Sequence, residues 1–353
     1  MPEPLTSIEI CAGAGGQASG LEQAGFDHLA LIDNDPWACE TLRRNRPDWQ
    51  VFGPFASDPP AARRDKGDVR TFDVTAWRGK VDLLAGGVPC PPFSKAGKQL
   101  GSDDDRDLFP AALRLVEECQ PRAVMLENVP GILDAKFAEF RDAVKHRLKR
   151  DYKVWWGAVQ ASDFGVPQLR PRAILVAIEK ESAHRFVWPN QEDHIRPAHV
   201  GTALYEYMAE EQWYLVDEWH HIADKRVAPT LVGGSKKHGG PDLGPTRAKR
   251  EWAEIGVDAL GLADRPPARW HMAMPRLTVT MAAVLQGFDP DRWPIAGAKT
   301  AAYRQIGNAF PPPVARAFGN RIKAALSSAP IEGEPSGEDV KVTDARPAAV
   351  SAN

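Results

Sequence analysis

Three segments of this sequence carry side chains that could do chemistry, and none belongs to a metal-ligand or disulfide pattern. The first is Cys90, in the run Val81-Asp-Leu-Leu-Ala-Gly-Gly-Val-Pro-Cys-Pro-Pro-Phe-Ser94. An apolar, strand-like stretch runs into Gly86-Gly87, and Pro89 then presents a thiol. A free cysteine is most often a small buried hydrophobe, but the prolines that follow cannot continue a central strand, so the thiol belongs to a loop. A thiolate there would be a nucleophile. The second is Glu127, in Leu126-Glu-Asn-Val-Pro-Gly131, at the end of another apolar stretch. A carboxyl in that position tends to a raised pKa and can give a proton; taken alone it reads as a salt-bridged acid beside an Asn-Val-Pro-Gly turn. The third is the run Gln168-Leu-Arg-Pro-Arg172, where alternation puts Gln168, Arg170 and Arg172 on one side and offers a guanidinium to a carbonyl.

A nucleophile, an acid and a cation need a scaffold, and the N-terminal half supplies one. Ser7 to Cys11 reads as a strand that runs into a glycine turn, Gly13-Ala-Gly15-Gly16, and then a helix through Gly25. His28 to Ile32 is a second strand, ending in Asp33-Asn34-Asp35, and Pro36 opens a helix to Arg44. Strand, glycine turn, helix, strand, acid is a βαβ unit with ligand-binding character. Asp33 falls about 20 residues beyond the turn, where a carboxylate accepts ribose hydroxyls. Asp68, in Gly67-Asp-Val69, could reach an adenine amino group. These features suit a nucleoside cofactor such as S-adenosylmethionine and do not by themselves exclude NAD.

Further strands are expected at Val81–Leu84, Ala123–Leu126 and Ala173–Ile178, and helices at Asp107–Cys119 and Phe137–Lys149, with Val51–Lys66 a surface loop. The fold class expected is α/β, a doubly wound and mainly parallel sheet, with a smaller irregular domain. The divisions expected are 1–179 for a catalytic and cofactor-binding domain, 180–275 for the smaller domain, 276–326 for a return segment with a C-terminal helix, and 327–353 for a disordered tail.

The gross numbers narrow the setting. In 353 residues the net charge is −3, so any polyanion site is local. The four cysteines are widely spaced and form no CxxC pair. That argues against a disulfide scaffold and a structural zinc, and for a reducing cytoplasm. No secretory signal or membrane-spanning run is read. Lys225 to Arg250 carries seven Lys/Arg against the single acid Asp242, with five glycines. Such a flexible cationic stretch, including Lys236, Lys237 and His238, can track phosphates.

Assembled in this order, the motifs resemble the cytosine-C5 DNA methyltransferase family almost to Lys323. Glu9 to Gly16 resembles its cofactor motif, Asp33 its ribose acid and Asp68 its adenine-contacting element. Pro89-Cys90 with Phe93-Ser94 resembles the catalytic Pro-Cys motif, Glu127-Asn-Val129 the Glu-Asn-Val motif, and Gln168-x-Arg170-x-Arg172 the Gln-x-Arg-x-Arg motif. Arg276-Leu-Thr278, Leu285-Gln-Gly-Phe288 and Tyr303-Arg-Gln-Ile-Gly-Asn-Ala309 resemble the closing motifs. Cys11 departs from an aromatic that packs on adenine in many members, and Pro91 from a glutamine.

The resemblance implies a sheet of the S-adenosylmethionine-dependent methyltransferase type and no metal. It places Cys90, Glu127, Arg172, Pro89, Asn128 and Arg170 at the reacting end. It places Cys11, Ala12, Gly13, Gly15, Gly16, Asp33, Asn34, Asp68, Val69, Gly87, Leu108 and Asn308 around the cofactor. The expected DNA contacts are Ser94, Lys95, Lys98, Gln168, Lys236, Lys237, His238, Arg247, Lys249, Arg250 and Arg276, with residues 180–275 as target-recognition domain and 94–106 as a lid. Cys90 would add to cytosine C6, Glu127 would bond N3 and Arg172 O2, on a base flipped out of the duplex. Double-stranded DNA is the expected partner, protected against a cognate restriction endonuclease that acts on the same site without a stable complex. A monomer in the cytoplasm is expected. A tRNA cytosine-C5 methyltransferase is the alternative.

Overall fold

The computed structural model describes residues 4–63, 65–89, 108–189, 193, 195–233 and 242–327. Its centre is a seven-stranded sheet in which β1 (Leu5–Ile10), β2 (Phe26–Ile32), β3 (Val51–Phe52), β4 (Leu83–Gly87), β5 (Ala123–Asn128), β6 (Tyr152–Gln160) and β7 (Pro171–Glu179) lie in the order β3-β2-β1-β4-β5-β7-β6. The first five strands are parallel, and β7 runs antiparallel to both β5 and β6. The chain order reverses between β1 and β4, so their C-terminal ends flank the crevice where such sheets bind ligands. Helices α1 (Gly16–Gln23), α2 (Pro36–Asn45), α3 (Phe109–Cys119) and α4 (Ala138–Leu148) make the crossovers and cover the faces.

Local signals account for these starts. Asp35 caps α2 by accepting from the Trp37 and Ala38 amides at 2.9 and 3.3 Å, with Pro36 in the first turn. The expected loop after Val51 is in part a sheet edge: Val51 and Phe52 pair with Leu31 and Ile32, and the Phe52 ring packs on Phe72 and Trp77. The strand β6 was not expected. It is an edge strand, half-buried along most of its length, so its pattern lacks the alternation that marks a strand.

Beyond the sheet come α5 (Val200–Ala209), α6 (Val216–Ala223), α7 (Thr246–Ala253), α8 (Val279–Leu285), α9 (Lys299–Asn308) and α10 (Pro312–Leu326). The region expected to be irregular is therefore partly helical. Its buried Trp213, Trp219 and Trp252 share one core with Leu277, Tyr303 and the cofactor-side residues Ala14 and Leu42. The helix α10 lies along α1, and its Phe318 and Ile322 share a core with Leu21 and Phe26. No helix among the described residues is long and apolar enough to cross a membrane. The tail expected beyond Ser327 lies outside the described residues.

A buried histidine latches α1 to the sheet. His28 Nδ1 lies 2.8 Å from the Ser7 hydroxyl on β1, and Nε2 lies 3.0 Å from the Ala18 carbonyl on α1. A neutral ring with its proton on Nε2 satisfies both, donating to Ala18 and accepting from Ser7. Burial holds its pKa down at about 4 against an ordinary 6.5. The unfolded chain therefore binds the proton first, and the stability this depression contributes is present above about pH 6.5 and is lost as pH falls toward 4. Urea unfolding of wild type and His28→Gln should show a gap that shrinks by about 2 kcal/mol between about pH 7.5 and pH 5. A gap independent of pH would disprove the latch.

Candidate active site

The turn after β1 is built from left-handed backbone. Cys11, Gly13 and Gly15 have φ of 52°, 55° and 78°, and Gly15 is the N-cap of α1. The carboxylate that ends β2 holds this turn, since Asp33 accepts from the Gly13 amide and from the Asp35 amide, both at 2.7 Å. A cavity of about 230 Å³ opens beside it. Of the expected cofactor residues, Cys11, Ala12, Gly13, Asp33, Gly87 and Asn308 line this cavity, together with Pro89 and Glu127 from the expected reacting end.

The remaining expected cofactor residues stand off it. Gly15 and Gly16 serve packing: a Cβ at Gly15 would meet the Trp293 ring at 2.5 Å, and one at Gly16 the Phe310 carbonyl at 2.1 Å. The Asp68 carboxylate ion-pairs with Arg70 at 2.6 Å, which holds its pKa below the usual range. Val69 is in the core, Leu108 is half-buried at the start of α3, and Asn34 is exposed.

Several lining residues were missed. Glu9 and Gln17 are 1 % and 3 % exposed. Gln17 leaves both side-chain polar atoms without a partner, and Glu9 leaves Oε2 so. Burial and the Asp33 charge push the Glu9 carboxyl well above its usual range, and burial likewise pushes up the Cys11 thiol. Arg304, Gln305 and Phe310 reach the cavity from the far end of the chain. The signal for Glu9 was a carboxylate inside an otherwise apolar strand.

At the reacting end, Gly87 on β4 pairs with Glu127 on β5, and a Cβ there would sit 3.2 Å from the Glu127 carboxylate. Asn128 donates from Nδ2 to the Val88 carbonyl at 2.9 Å and accepts from the Val129 amide. It thereby clamps the backbone leading through the exposed Pro89 to Cys90. Cys90 itself lies outside the described residues, as do Ser94, Lys95, Lys98, the expected lid and Pro91. Arg172 Nε lies 2.6 Å from Glu127 Oε1, both side chains largely buried. The N–H is not aligned on that oxygen, so the contact is an ion pair more than a hydrogen bond. The pair joins β7 to β5 and supplies the salt bridge that the Glu127 turn alone suggested.

Arg170 and Gln168 do not point to this pair. The Arg170 guanidinium, 1 % exposed, donates to the carbonyls of Leu231, Gly307 and Ala309 at 2.9, 2.7 and 3.1 Å. Gln168, fully buried, donates to the Leu285 carbonyl and the Gln286 side chain and accepts from the Leu231 amide. The structure thus commits the Arg170 guanidinium to backbone carbonyls instead of to Glu127, and buries Gln168 completely.

The profile of the C-5 cytosine-specific DNA methylase family matches residues 5–324. The chain belongs to that family. It is 50 % identical over 336 residues to the Type II methyltransferase M.NaeI of Lentzea aerocolonigenes, covering 94 % of this chain and 77 % of that one. It is 49 % identical over 326 residues to the Type II methyltransferase M.NgoMIV of Neisseria gonorrhoeae, covering 91 % and 98 %. In fold it is similar to Spodoptera frugiperda DNMT2, with TM-score 0.59, 15 % identity, and 92 % and 100 % of the two chains covered. It is also similar in fold to the Entamoeba histolytica methyltransferase EhMeth, with TM-score 0.60, 14 % identity, and 92 % and 99 % covered. This chain is a cytosine-C5 DNA methyltransferase with the fold expected of one.

Of the expected DNA contacts that are described, Arg247 pairs with Glu251 at 3.0 Å, Lys249 with Asp242 at 2.8 Å and Arg276 with Asp258 at 2.7 Å. Arg250 is exposed on α7, whose other face buries Trp252. Lys236, Lys237 and His238 lie outside the described residues. Between α7 and Arg276 in the chain, Trp270 and Met272 stand 70 % and 74 % exposed, with the Arg269 guanidinium 5.0 Å from the Trp270 ring.

The two arginines of the motif should separate in experiment. Arg170→Met strands three buried carbonyls and should lower the unfolding free energy by about 3–5 kcal/mol. Arg172→Met leaves the largely buried Glu127 carboxylate unpaired and also costs stability, but it alone should abolish methyl transfer in a chain that remains folded. Loss of methyl transfer by folded Arg170→Met, or its retention by Arg172→Met, would refute the division.

Proposed function

We propose that this chain is the modification enzyme of a Type II restriction–modification system, methylating C5 of one cytosine in a specific duplex site. Glu127, which with Pro89 lines the cavity beside the glycine turn and Asp33 and is ion-paired to Arg172 behind it, carries this reading. The cofactor is S-adenosylmethionine, which supplies an electrophilic methyl group when bound. The residues fit it: Gly13 leaves the cavity wall without a side chain, Asp33 stands where a ribose acid belongs, and Glu9 and Gln17 hold unmet polar atoms.

Cytosine C5 is a weak nucleophile. The Cys90 thiolate adds to C6 of the flipped base and makes C5 enamine-like. Glu127 bonds the ring at N3, Arg172 answers charge at O2, and each keeps the other oriented. Asn128 fixes the backbone at Val88, two residues before Cys90. Removal of the C5 proton later expels Cys90. Residues 180–275 form the target-recognition domain, with phosphate contacts from Lys236, Lys237, Arg247 and Arg250. We place the enzyme in the cytoplasm as a monomer, its site shared with an endonuclease that does not bind it stably.

The tRNA reading is not favoured. The relatives near half identity are named Type II methyltransferases, and the similarity to DNMT2 reaches the fold alone.

Expressed in a methylation-free host, the wild-type gene should yield plasmid with C5-methylated cytosine at one recurring site by bisulfite sequencing, and Cys90→Ser should yield none while still binding duplex DNA. Near-normal methylation by Cys90→Ser, or methylation of tRNA alone, would overturn the reading. Replacing Lys236 and Lys237 by alanine should weaken DNA binding and reduce the slope of log affinity against log salt by roughly 1–2. An unchanged slope would remove them from the phosphate contacts.

A further inference from the structure

The side chain of Gln17 has no task in the fold. It lies in the first turn of α1, is 3 % exposed and faces the cavity, yet both Nε2 and Oε1 lack a hydrogen-bond partner. A buried amide with neither group met is costly, and native proteins rarely keep one unless a ligand or a water answers it. Glu9, on the same wall and 1 % exposed, adds an unmet carboxyl oxygen.

The sheet order says which part of a ligand arrives there. Strand β1 lies between β2 and β4. Asp33 follows β2, Pro89 follows β4 and Glu127 ends β5. A molecule whose ribose meets Asp33 and whose reacting methyl must reach past Pro89 therefore crosses the C-terminal end of β1, where Glu9 and Gln17 line the wall. In S-adenosylmethionine the α-amino acid branches from the sulfonium between those two points. That group is a zwitterion and needs a donor and an acceptor side by side, which a primary amide presents.

We propose that Gln17 grips the amino-acid end of the cofactor, Nε2 donating to its α-carboxylate and Oε1 accepting from its α-ammonium, with Glu9 flanking the ammonium. The inference rests on the reading that the cavity takes S-adenosylmethionine. It makes Gln17 a determinant that separates ligands with an amino-acid end from those without one.

Two ligands isolate the contact. S-adenosylhomocysteine carries the amino acid; 5′-methylthioadenosine has the same adenosine and a thioether but no amino acid. In calorimetric titrations, Gln17→Met, equal in length and apolar, should bind S-adenosylhomocysteine roughly 10- to 100-fold more weakly than wild type. Its affinity for methylthioadenosine should stay within about twofold, which also reports an intact pocket. Gln17→Glu keeps acceptors, loses the donor and faces the carboxylate with like charge, so it should show the same selective loss. Equal losses for both ligands, or undiminished binding of S-adenosylhomocysteine by Gln17→Met, would overturn the proposal. A wild-type chain that binds neither ligand would instead overturn the cofactor reading on which it stands.

Discussion

The arrangement of the molecule depends on one buried cation. Arg170 spends its guanidinium on the carbonyls of Leu231, Gly307 and Ala309. These belong to the stretch before the glycine-rich cationic segment and to the junction of α9 with α10. The planar fork of an arginine suits such a cluster, because it can serve several acceptors from one rigid group. Backbones pack closely around it: a Cβ at Gly307 would meet the Gly233 amide nitrogen at 2.4 Å. Gln286 donates to the Ala309 carbonyl as well, and Gln168 bonds Gln286 in turn. Two residues along the chain, Arg172 pairs with Glu127. One short run thus joins the sheet to the C-terminal segments and arms the reacting end.

The cradle depends on closure from afar in a similar way. Trp293 donates to the Ala14 carbonyl at 2.7 Å, its ring occupying the space that Gly15 leaves open, and Phe310 takes the space left by Gly16. The glycines of this turn therefore divide their work. Gly13 keeps the cavity wall bare, while Gly15 and Gly16 admit the residues that close it. Asp33 holds the turn through the Gly13 amide, so the turn and the acid that ends β2 are one unit. Preorganisation of this kind lets a site meet its ligand without first ordering itself.

The sheet was legible in the sequence because its parallel strands are buried on both faces and read as apolar runs between punctuating glycines, prolines and acids. What was hidden follows from physics that a linear pattern does not carry. The edge strand β6 lacks alternation. The helices after Val200 bury tryptophans against the return segment, and their amphipathic faces make sense only once that partner is known. In the site, Cys11, Gly13, Asp33, Gly87 and Asn308 were placed from the sequence and do line the cavity. Gln17 was missed because a polar residue at the start of a helix ordinarily faces water. The family resemblance implied DNA for Gln168 and the reacting end for Arg170, and alternation, which fixes a side of the chain but not what lies there, could not correct it. Asp68 was given to adenine, and the structure sets its carboxylate against Arg70.

The way the C-terminal half is attached bears on how such an enzyme can change its target. Every partner that Arg170 engages, and the Leu231 and Leu285 partners of Gln168, is a backbone group. A backbone carbonyl presents the same acceptor whatever side chain its residue bears. The hydrogen-bonded part of the anchorage therefore makes little demand on side-chain identity; that demand falls on the buried side chains of the shared core, Leu231, Leu243 and Trp252 among them, and on the close approaches at Gly233 and Gly307. Side chains on the outer surface between Val200 and Arg276, where Arg250, Trp270 and Met272 stand exposed, can vary without loosening the hold on the catalytic sheet. The proposed recognition surface and the attachment thus draw on different atoms of the same segment.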